Sequence, residues 1–267
     1  MRSLLTFSCE GEELGASLDR GSGEVALLLS TGGSQTRVGS HRMYERLSKG
    51  LAEQGFTCMR FDRRGVGDSS GEDPGFRGSG ADIEAAAAAL RREVPSLRRV
   101  YGFGLCDGAT ALALFAGDAG LQGVILANPW LVEAEAGDPA AAAVKAHYRQ
   151  RLASLDGWRR LLTGGVDYRK LMKGIGKVAR GDKASTLAAD VAASLKRSRV
   201  PAQLILASGD NTAIAAENEI QSKDFRGLLP EPHKIDTDSH TFARLGDEAA
   251  LLAAVLEVLR RLEAQAS

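Results

Sequence analysis

Short apolar runs alternate with longer helical patterns along most of this 267-residue chain. One such run, Val25–Ser30, precedes a helical pattern over His41–Gln54, in which Tyr44, Leu47 and Leu51 share one face. Alternation of this kind is typical of βα units that pack around a mostly parallel sheet. The length suits one domain with a single buried core. We therefore predict an α/β fold.

The alternation stops after the sixth predicted strand and resumes at Pro201. Residues 131–199 show helical pieces separated by glycines and no convincing strand. We predict one α/β core formed by residues 1–130 and 200–267, with a helical cap, residues 131–199, inserted between the two parts. The predicted strands are Leu4–Cys9, Leu14–Asp19, Val25–Ser30, Phe56–Asp62, Arg99–Leu105, Leu121–Asn128, Ala202–Ser208 and Lys234–Asp236.

A glycine-rich pentapeptide, Gly104-Leu105-Cys106-Asp107-Gly108, lies between the predicted strand Arg99–Leu105 and a predicted helix over Ala109–Ala116. It is the G-x-S-x-G nucleophile elbow with cysteine in the serine position. Glycines suit the outer positions, because larger side chains there would collide with neighbouring backbone. The helix N-terminus favours a thiolate. The alternative is a structural cysteine, since free cysteines are often buried.

Two polar loops downstream supply partners for such a nucleophile. Asp210 follows the seventh predicted strand and His240 follows the eighth, which is the chain order of the acid and the histidine in α/β-hydrolases. Asp236 and Asp238 remain alternative acids, because Gly-Asp-Asn at 209–211 also suits an Asx turn. The other three histidines lie elsewhere, at the start of a helix, in the insert and before the last strand: His41, His147 and His233.

These residue types predict acyl chemistry through a covalent intermediate. His240 would take the thiol proton, Asp210 would hold the imidazole, and the thiolate would attack an acyl carbonyl. The backbone N–H of Asp107 would bind the oxyanion, together with an N–H from the loop after the third strand, where Gly33 or Ser34 is suitably placed. The Asp107 side chain could point into this site or cap the helix.

The turn at residues 61–69 contains Asp62, Arg63 and Arg64, followed by two glycines and Ser69. It resembles a D-x-R-G-x-G-x-S turn that is common in α/β-hydrolases. We expect a structural role, with Asp and Arg tying together the loops beside the elbow.

Longer stretches resemble one family of the α/β-hydrolase superfamily, the hydrolase 1 group associated with exosortase A systems. The resemblance implies an α/β-hydrolase fold, with a mostly parallel eight-stranded sheet and helices on both faces, encoded among genes for exopolysaccharide production and protein sorting. Dienelactone hydrolases also carry an elbow cysteine, but they lack a long insert after the sixth strand. Thr31 departs from the histidine of the H-G pair in many hydrolases. The matching stretches are residues 32–42, 61–71, 104–107, 128–130, 208–210 and 238–242.

The charge of the chain is unevenly distributed. The whole chain has 34 basic and 34 acidic residues, so its net charge indicates neither nucleic acid nor membrane binding. Residues 140–199 carry fourteen basic and four acidic side chains, a net charge of +10. This segment is either a solvated cap that balances an acidic body or a surface for an acidic partner, such as a carrier protein, a coenzyme A phosphate or an anionic lipid head group.

The cysteine spacing and the length of the apolar runs indicate the cellular compartment in which we expect the protein. Three widely spaced cysteines without a C-x-x-C pair argue against a zinc knuckle or a disulfide framework, and they fit a reducing compartment. No apolar run reaches the ~18 residues of a membrane span. We expect a cytoplasmic protein without a metal, a cofactor or a stable membrane span.

The sequence thus predicts a cysteine-dependent acyl hydrolase that acts on a small-molecule or carrier-linked substrate. We prefer a thioesterase to a carboxylesterase, because thiolate attack on a thioester exchanges like for like. An acyltransferase with the same three residues is a close variant. A non-catalytic binding protein of the same fold is the alternative from another functional class.

Overall fold

Eight strands form one sheet in a computed structural model that describes residues 2–132 and 186–265. The order across the sheet is β1-β2-β4-β3-β5-β6-β7-β8. Strand β2 runs antiparallel to β1 and β4, and the remaining neighbours are parallel. The strands are β1 Arg2–Cys9, β2 Glu12–Asp19, β3 Val25–Ser30, β4 Thr57–Phe61, β5 Arg99–Leu105, β6 Gly123–Ala127, β7 Ala202–Ala207 and β8 His233–Ile235.

The first two strands form an antiparallel hairpin, with Cys9 opposite Glu12. Its two loop residues, Glu10 and Gly11, have φ angles of 50° and 88°. Two positive φ angles are what a tight two-residue turn requires between strands with the usual right-handed twist.

Helices cover both faces of the sheet, because the central strands are apolar on both faces. In β3, Leu27 and Leu29 pack with residues of the first and last helices, whereas Ala26 and Leu28 pack with the helices on the opposite face. The helices are α1 Met43–Glu53, α2 Gly75–Gly78, α3 Gly80–Glu93, α4 Asp107–Phe115, α5 Thr186–Ser198, α6 Asn211–Ile220 and α7 Asp247–Gln265, with short 3₁₀ turns at Ser40–Arg42 and Lys223–Phe225.

The predicted cap falls mainly outside the described residues, since 133–185 are not described. Helix α5 forms most of the described part of that segment. Its Ser194 hydroxyl donates to the Leu114 carbonyl at the end of α4 at 2.6 Å, and Leu187, Val191 and Leu195 are buried. The end of the predicted insert therefore packs on the helix that follows the elbow.

Two helix starts differ from the sequence prediction. Helix α1 begins at Met43 instead of His41, because His41 and Arg42 have left-handed φ angles of 41° and 66°. Helix α4 begins at Asp107 instead of Ala109, so it starts directly after the elbow cysteine. Within the described ranges, no helix is both long and apolar enough to cross a membrane.

Candidate active site

Cys106 lies at the turn between β5 and α4, with a strained φ of 59° and ψ of −128°. Its N–H donates to the Ala127 carbonyl at 3.0 Å, and its own carbonyl accepts from the Trp130 N–H at 3.2 Å. A positive φ at a residue with a side chain costs free energy and persists only where surrounding contacts enforce it. Here the end of β6 supplies those contacts.

The glycines on either side of the elbow are required by close backbone approach. A Cβ on Gly104 would lie 2.6 Å from the Ala109 nitrogen. A Cβ on Gly108 would lie 2.5 Å from the Ser30 carbonyl oxygen. Because both neighbours are backbone atoms, neither substitution can be absorbed by a side-chain shift.

A fully buried tyrosine on α1 forms hydrogen bonds to the backbone beside the elbow. The Tyr44 hydroxyl donates to the Ser30 carbonyl at 2.9 Å and accepts from the Leu105 N–H at 3.0 Å. Burial raises the pKa of this hydroxyl, which keeps it protonated and able to donate. Tyr44 thus ties the end of β3 to the residue before Cys106.

Cys106 is also the most accessible of the three free cysteines. Cys9 and Cys58 are buried, whereas Cys106 is partly exposed. Burial, followed by a hydrogen bond to the Asp82 carboxylate, raises the pKa of Cys9 to about 12. Burial also raises the pKa of Cys58. Both buried thiols are therefore poor nucleophiles at neutral pH.

The structure brings His240 and Asp210 together from separate loops. The His240 Nδ1 lies 2.8 Å from Asp210 Oδ2, and Asp210 is only 7% exposed. The same oxygen accepts from the Ala213 N–H at 3.0 Å, as the N-cap of α6. Asp210 therefore caps a helix and holds the imidazole at once, so the Asx-turn interpretation and the catalytic one are compatible.

The alternative acids and histidines lie away from this pair. Asp236 and Asp238 are exposed, and Asp238 pairs with Arg244. His233, the first residue of β8, lies 3.4 Å from Glu257, and the His41 Nε2 lies 2.8 Å from the Thr241 carbonyl. The remaining histidine, His147, lies outside the described residues.

The surroundings of His240 favour its protonated form. A hydrogen bond to Asp210, and next one to Cys106, raise the pKa of His240 to about 10, against the opposing effect of burial. The imidazolium is therefore the favoured form at neutral pH. An imidazolium between a carboxylate and a sulfur is the charge arrangement that follows when the ring takes the thiol proton.

Asn128 is a positioning residue to which the sequence pattern assigns no role. Its side-chain amide donates to the His240 carbonyl at 2.9 Å, and its side-chain oxygen accepts from the Ala207 N–H at 2.9 Å. Asn128 is fully buried and has a φ of 39°, a conformation that asparagine tolerates better than most residues. It fixes the histidine loop to the end of β7.

The two parts of the expected oxyanion hole are close to each other. Asp107 is the first residue of α4, where a helix N–H has no intrahelical acceptor. The Gly33 N–H donates to Asp107 Oδ1 at 2.5 Å. Ser34 is exposed in the same turn. The Asp107 side chain thus points into the site, and it occupies the N–H that was expected to bind a substrate oxygen.

The loop that carries Gly33 is held by the turn after β4, as expected. Asp62 is fully buried and accepts from the Arg37 backbone N–H at 2.5 Å and from its guanidinium. It also accepts from the Asp68 N–H at 3.2 Å. This buried carboxylate therefore joins the two loops beside the elbow.

Among residues 2–132 and 186–265, no group of three or more His, Cys, Asp or Glu side chains is arranged to hold a metal ion. What the site offers instead is a thiol, an imidazole and a carboxylate in series, beside two backbone N–H groups. These are the parts needed for nucleophilic acyl chemistry.

Comparison with solved structures shows the fold. An esterase from Pyrococcus furiosus is 15% identical with a TM-score of 0.65, covering 98% of this chain and 92% of that one. An α/β serine hydrolase without lid from Xanthomonas campestris is 16% identical with a TM-score of 0.60, covering 97% and 94%. A thioesterase domain from the curacin biosynthetic pathway is 13% identical with a TM-score of 0.58, covering 96% and 99%. The predicted α/β-hydrolase fold is confirmed.

Comparison by sequence identifies the family. A search of curated proteins finds no match. The family model described as serine aminopeptidase, S33, matches residues 37–221, which is more than half of the chain. The match includes the elbow, where this chain has Cys106 in the serine position. The chain belongs to the serine aminopeptidase S33 family of α/β-hydrolases.

Proposed function

We propose that this protein is an acyl hydrolase whose nucleophile is Cys106, assisted by His240 and Asp210. The observation that carries the proposal is the His240 imidazole, which contacts the buried Asp210 carboxylate and lies close enough to the strained elbow for Cys106 to raise the pKa of His240. Family membership supports hydrolysis as the class of reaction. The strain of the turn would be an unnecessary cost for a purely structural thiol.

In the proposed reaction, the Cys106 sulfur attacks the acyl carbonyl while His240 holds the thiol proton. The carbonyl oxygen receives hydrogen bonds from backbone N–H groups, those of Asp107 and of Gly33 or Ser34. Collapse expels the leaving group, which takes the proton from His240. Water, activated by the imidazole, then hydrolyses the acyl-cysteine and regenerates the thiol.

We propose thioesters as the preferred substrates over oxygen esters. Attack by a thiolate on a thioester forms a second thioester of similar energy, whereas attack on an oxygen ester must expel a poorer leaving group. The resemblance to the exosortase A-associated group motivates a substrate from exopolysaccharide production or protein sorting. The basic segment at 140–199 motivates an acidic carrier of the acyl group.

A matched panel of substrates tests this function. The same acyl group is offered as an N-acetylcysteamine thioester and as its oxygen analogue, the N-acetylethanolamine ester, to the wild type, Cys106→Ala and Cys106→Ser. We expect turnover by the wild type, a larger relative loss on thioesters than on esters in Cys106→Ser, and none above background in Cys106→Ala. Equal turnover by the wild type and Cys106→Ala would contradict the proposal.

Alkylation provides a test that needs no substrate. Iodoacetamide should label Cys106 much faster than the buried Cys9 and Cys58. It should also label Cys106 faster in the wild type than in His240→Ala, because the imidazole stabilises the thiolate. Equal labelling rates of Cys106 in the wild type and in His240→Ala would contradict the proposed role of the imidazole.

A further inference from the structure

The side chain of Asp107 lies against the loop that should bind the substrate oxygen. Its Oδ1 accepts from the Gly33 N–H at 2.5 Å. A Cβ built on Gly32 would lie 2.7 Å from the same oxygen and 3.2 Å from the Cys106 Cβ. The carboxylate is therefore next to the nucleophile, at the position of an oxyanion-hole donor.

This carboxylate has no cationic partner in the part of the chain that the structure describes. The buried acids nearby are different, since Asp62 pairs with Arg37 and Asp210 with His240. The Gly33 N–H is the hydrogen-bond donor that contacts the partly exposed Asp107 side chain. A hydrogen bond to a charged acceptor is stronger than one between neutral groups.

We propose that Asp107 is a specificity-determining residue, whose carboxylate fills the oxyanion hole of the free enzyme and must be displaced by the substrate carbonyl. This inference rests on the proposed acyl-hydrolase function. A carboxylate oxygen resembles an oxyanion in charge and in hydrogen-bond demand. One N–H cannot donate at full strength to both, so Asp107 competes with every substrate.

Displacement leaves the carboxylate close to the acyl group. Asp107 is fixed at the first residue of α4, so its side chain can rotate but cannot leave the neighbourhood of Cys106. Like charges a few ångströms apart repel each other strongly in a partly desolvated site. Acyl groups with a negative charge beside the carbonyl should therefore be disfavoured more than neutral ones. A charge on a distant leaving group is not affected in this way.

The kinetic test uses butyryl and malonyl N-acetylcysteamine thioesters, which differ by a carboxylate near the carbonyl. Asp107→Asn and Asp107→Ala should raise kcat/KM for the butyryl thioester by about tenfold. This is the effect expected when the substrate carbonyl no longer competes with a charged carboxylate for the Gly33 N–H. The gain for the malonyl thioester should be larger. Asp118→Asn, which removes an exposed acid just beyond the other end of α4, should change neither value.

Loss of activity in both Asp107 variants, with their thermal stability retained, would overturn the proposal. Equal gains on the two thioesters would overturn its charge selectivity. A carboxylate that only stabilised the N-terminus of α4 would, on removal, lower the thermal stability and leave the preference between the butyryl and malonyl thioesters unchanged.

An amide NMR spectrum separates this inference from the hydrolase function. The Gly33 amide proton should resonate downfield in the wild type, because it donates to a carboxylate, and should move upfield in Asp107→Asn. The shift should be absent in Asp118→Asn. If no thioester is hydrolysed, the hydrolase proposal fails, while the amide shift still tests the contact. An unchanged Gly33 resonance in Asp107→Asn would show that the contact does not exist.

Discussion

His240 lies between a carboxylate and a thiol, and both neighbours stabilise its proton. The three side chains come from loops after β5, β7 and β8, which end at the same edge of the sheet. At the scale of single residues, the proposed chemistry depends on whether the proton lies on His240 or on Cys106. Two predictions follow from this dependence.

The first prediction concerns removal of the reacting groups. Cys106→Ala and His240→Ala should each lower kcat on the order of 10³-fold or more, as losses in nucleophile–base pairs do. Both side chains are partly exposed and neither is a buried member of the hydrophobic core, so the temperature of thermal unfolding should change little. Steady-state kinetics and circular dichroism measure both effects. A variant with wild-type kcat would exclude that residue from the chemistry.

The second prediction concerns pH. The pKa of His240 is raised from 6.5 to about 10, mainly by Asp210, so the imidazolium is present at neutral pH and is lost as pH rises through about 10. The kcat/KM profile should therefore fall on its alkaline side near that value. Asp210→Asn removes the largest cause, so the alkaline limb should move to lower pH, while Asn can still cap α6. A limb that does not move would show that Asp210 does not hold the imidazolium.

At the scale of elements, the loop after β3 is held in place by Asp62, a buried carboxylate in the turn that follows β4. Asp62→Asn should lower the free energy of unfolding by about 2–3 kcal/mol, because it weakens the buried, charge-assisted hydrogen bonds from Arg37, which keeps only the exposed Asp68 as an ionic partner. It should also lower kcat/KM, since the loop that carries Gly33 loses its anchor.

Asp68→Asn is the matched control for this change. Asp68 pairs with the same arginine, but its side chain is 74% exposed. Exposed ion pairs contribute at most about 1 kcal/mol. Chemical denaturation measures both variants. Equal losses in the two variants would show that burial of Asp62 has no special role.

The elements that bear the site were predictable because they depend on local pattern. Strand β3 was predicted at Val25–Ser30 from its continuous apolar run, and the elbow was predicted from its glycines. The start of α1 was missed because nothing in the pattern shows that His41 and Arg42 adopt left-handed conformations. The Asn128 bridge was missed, and the direction of the Asp107 side chain was left open, because these contacts join residues far apart in sequence. Such contacts depend on how loops meet, which periodicity does not encode.

At the scale of the whole molecule, the charge is separated along a chain that is neutral in total. Residues 140–199 carry a net charge of +10, although 133–185 lie outside the described residues. If these charges attract an anionic carrier, kcat/KM for a coenzyme-linked or carrier-linked acyl group should fall steeply with added salt. A neutral ester of equal chain length should respond little. Equal salt slopes would assign the charges to a solvated surface.

The nucleophile itself is tested most directly by the mass of the enzyme during turnover. The wild type and Cys106→Ala are mixed with a thioester, quenched in acid within the turnover time, and measured by intact-mass spectrometry with peptide mapping. We predict one acyl group on the wild type, located on Cys106, and none on Cys106→Ala. Acylation at another residue, or rapid hydrolysis by Cys106→Ala, would contradict the assignment of Cys106 as the nucleophile.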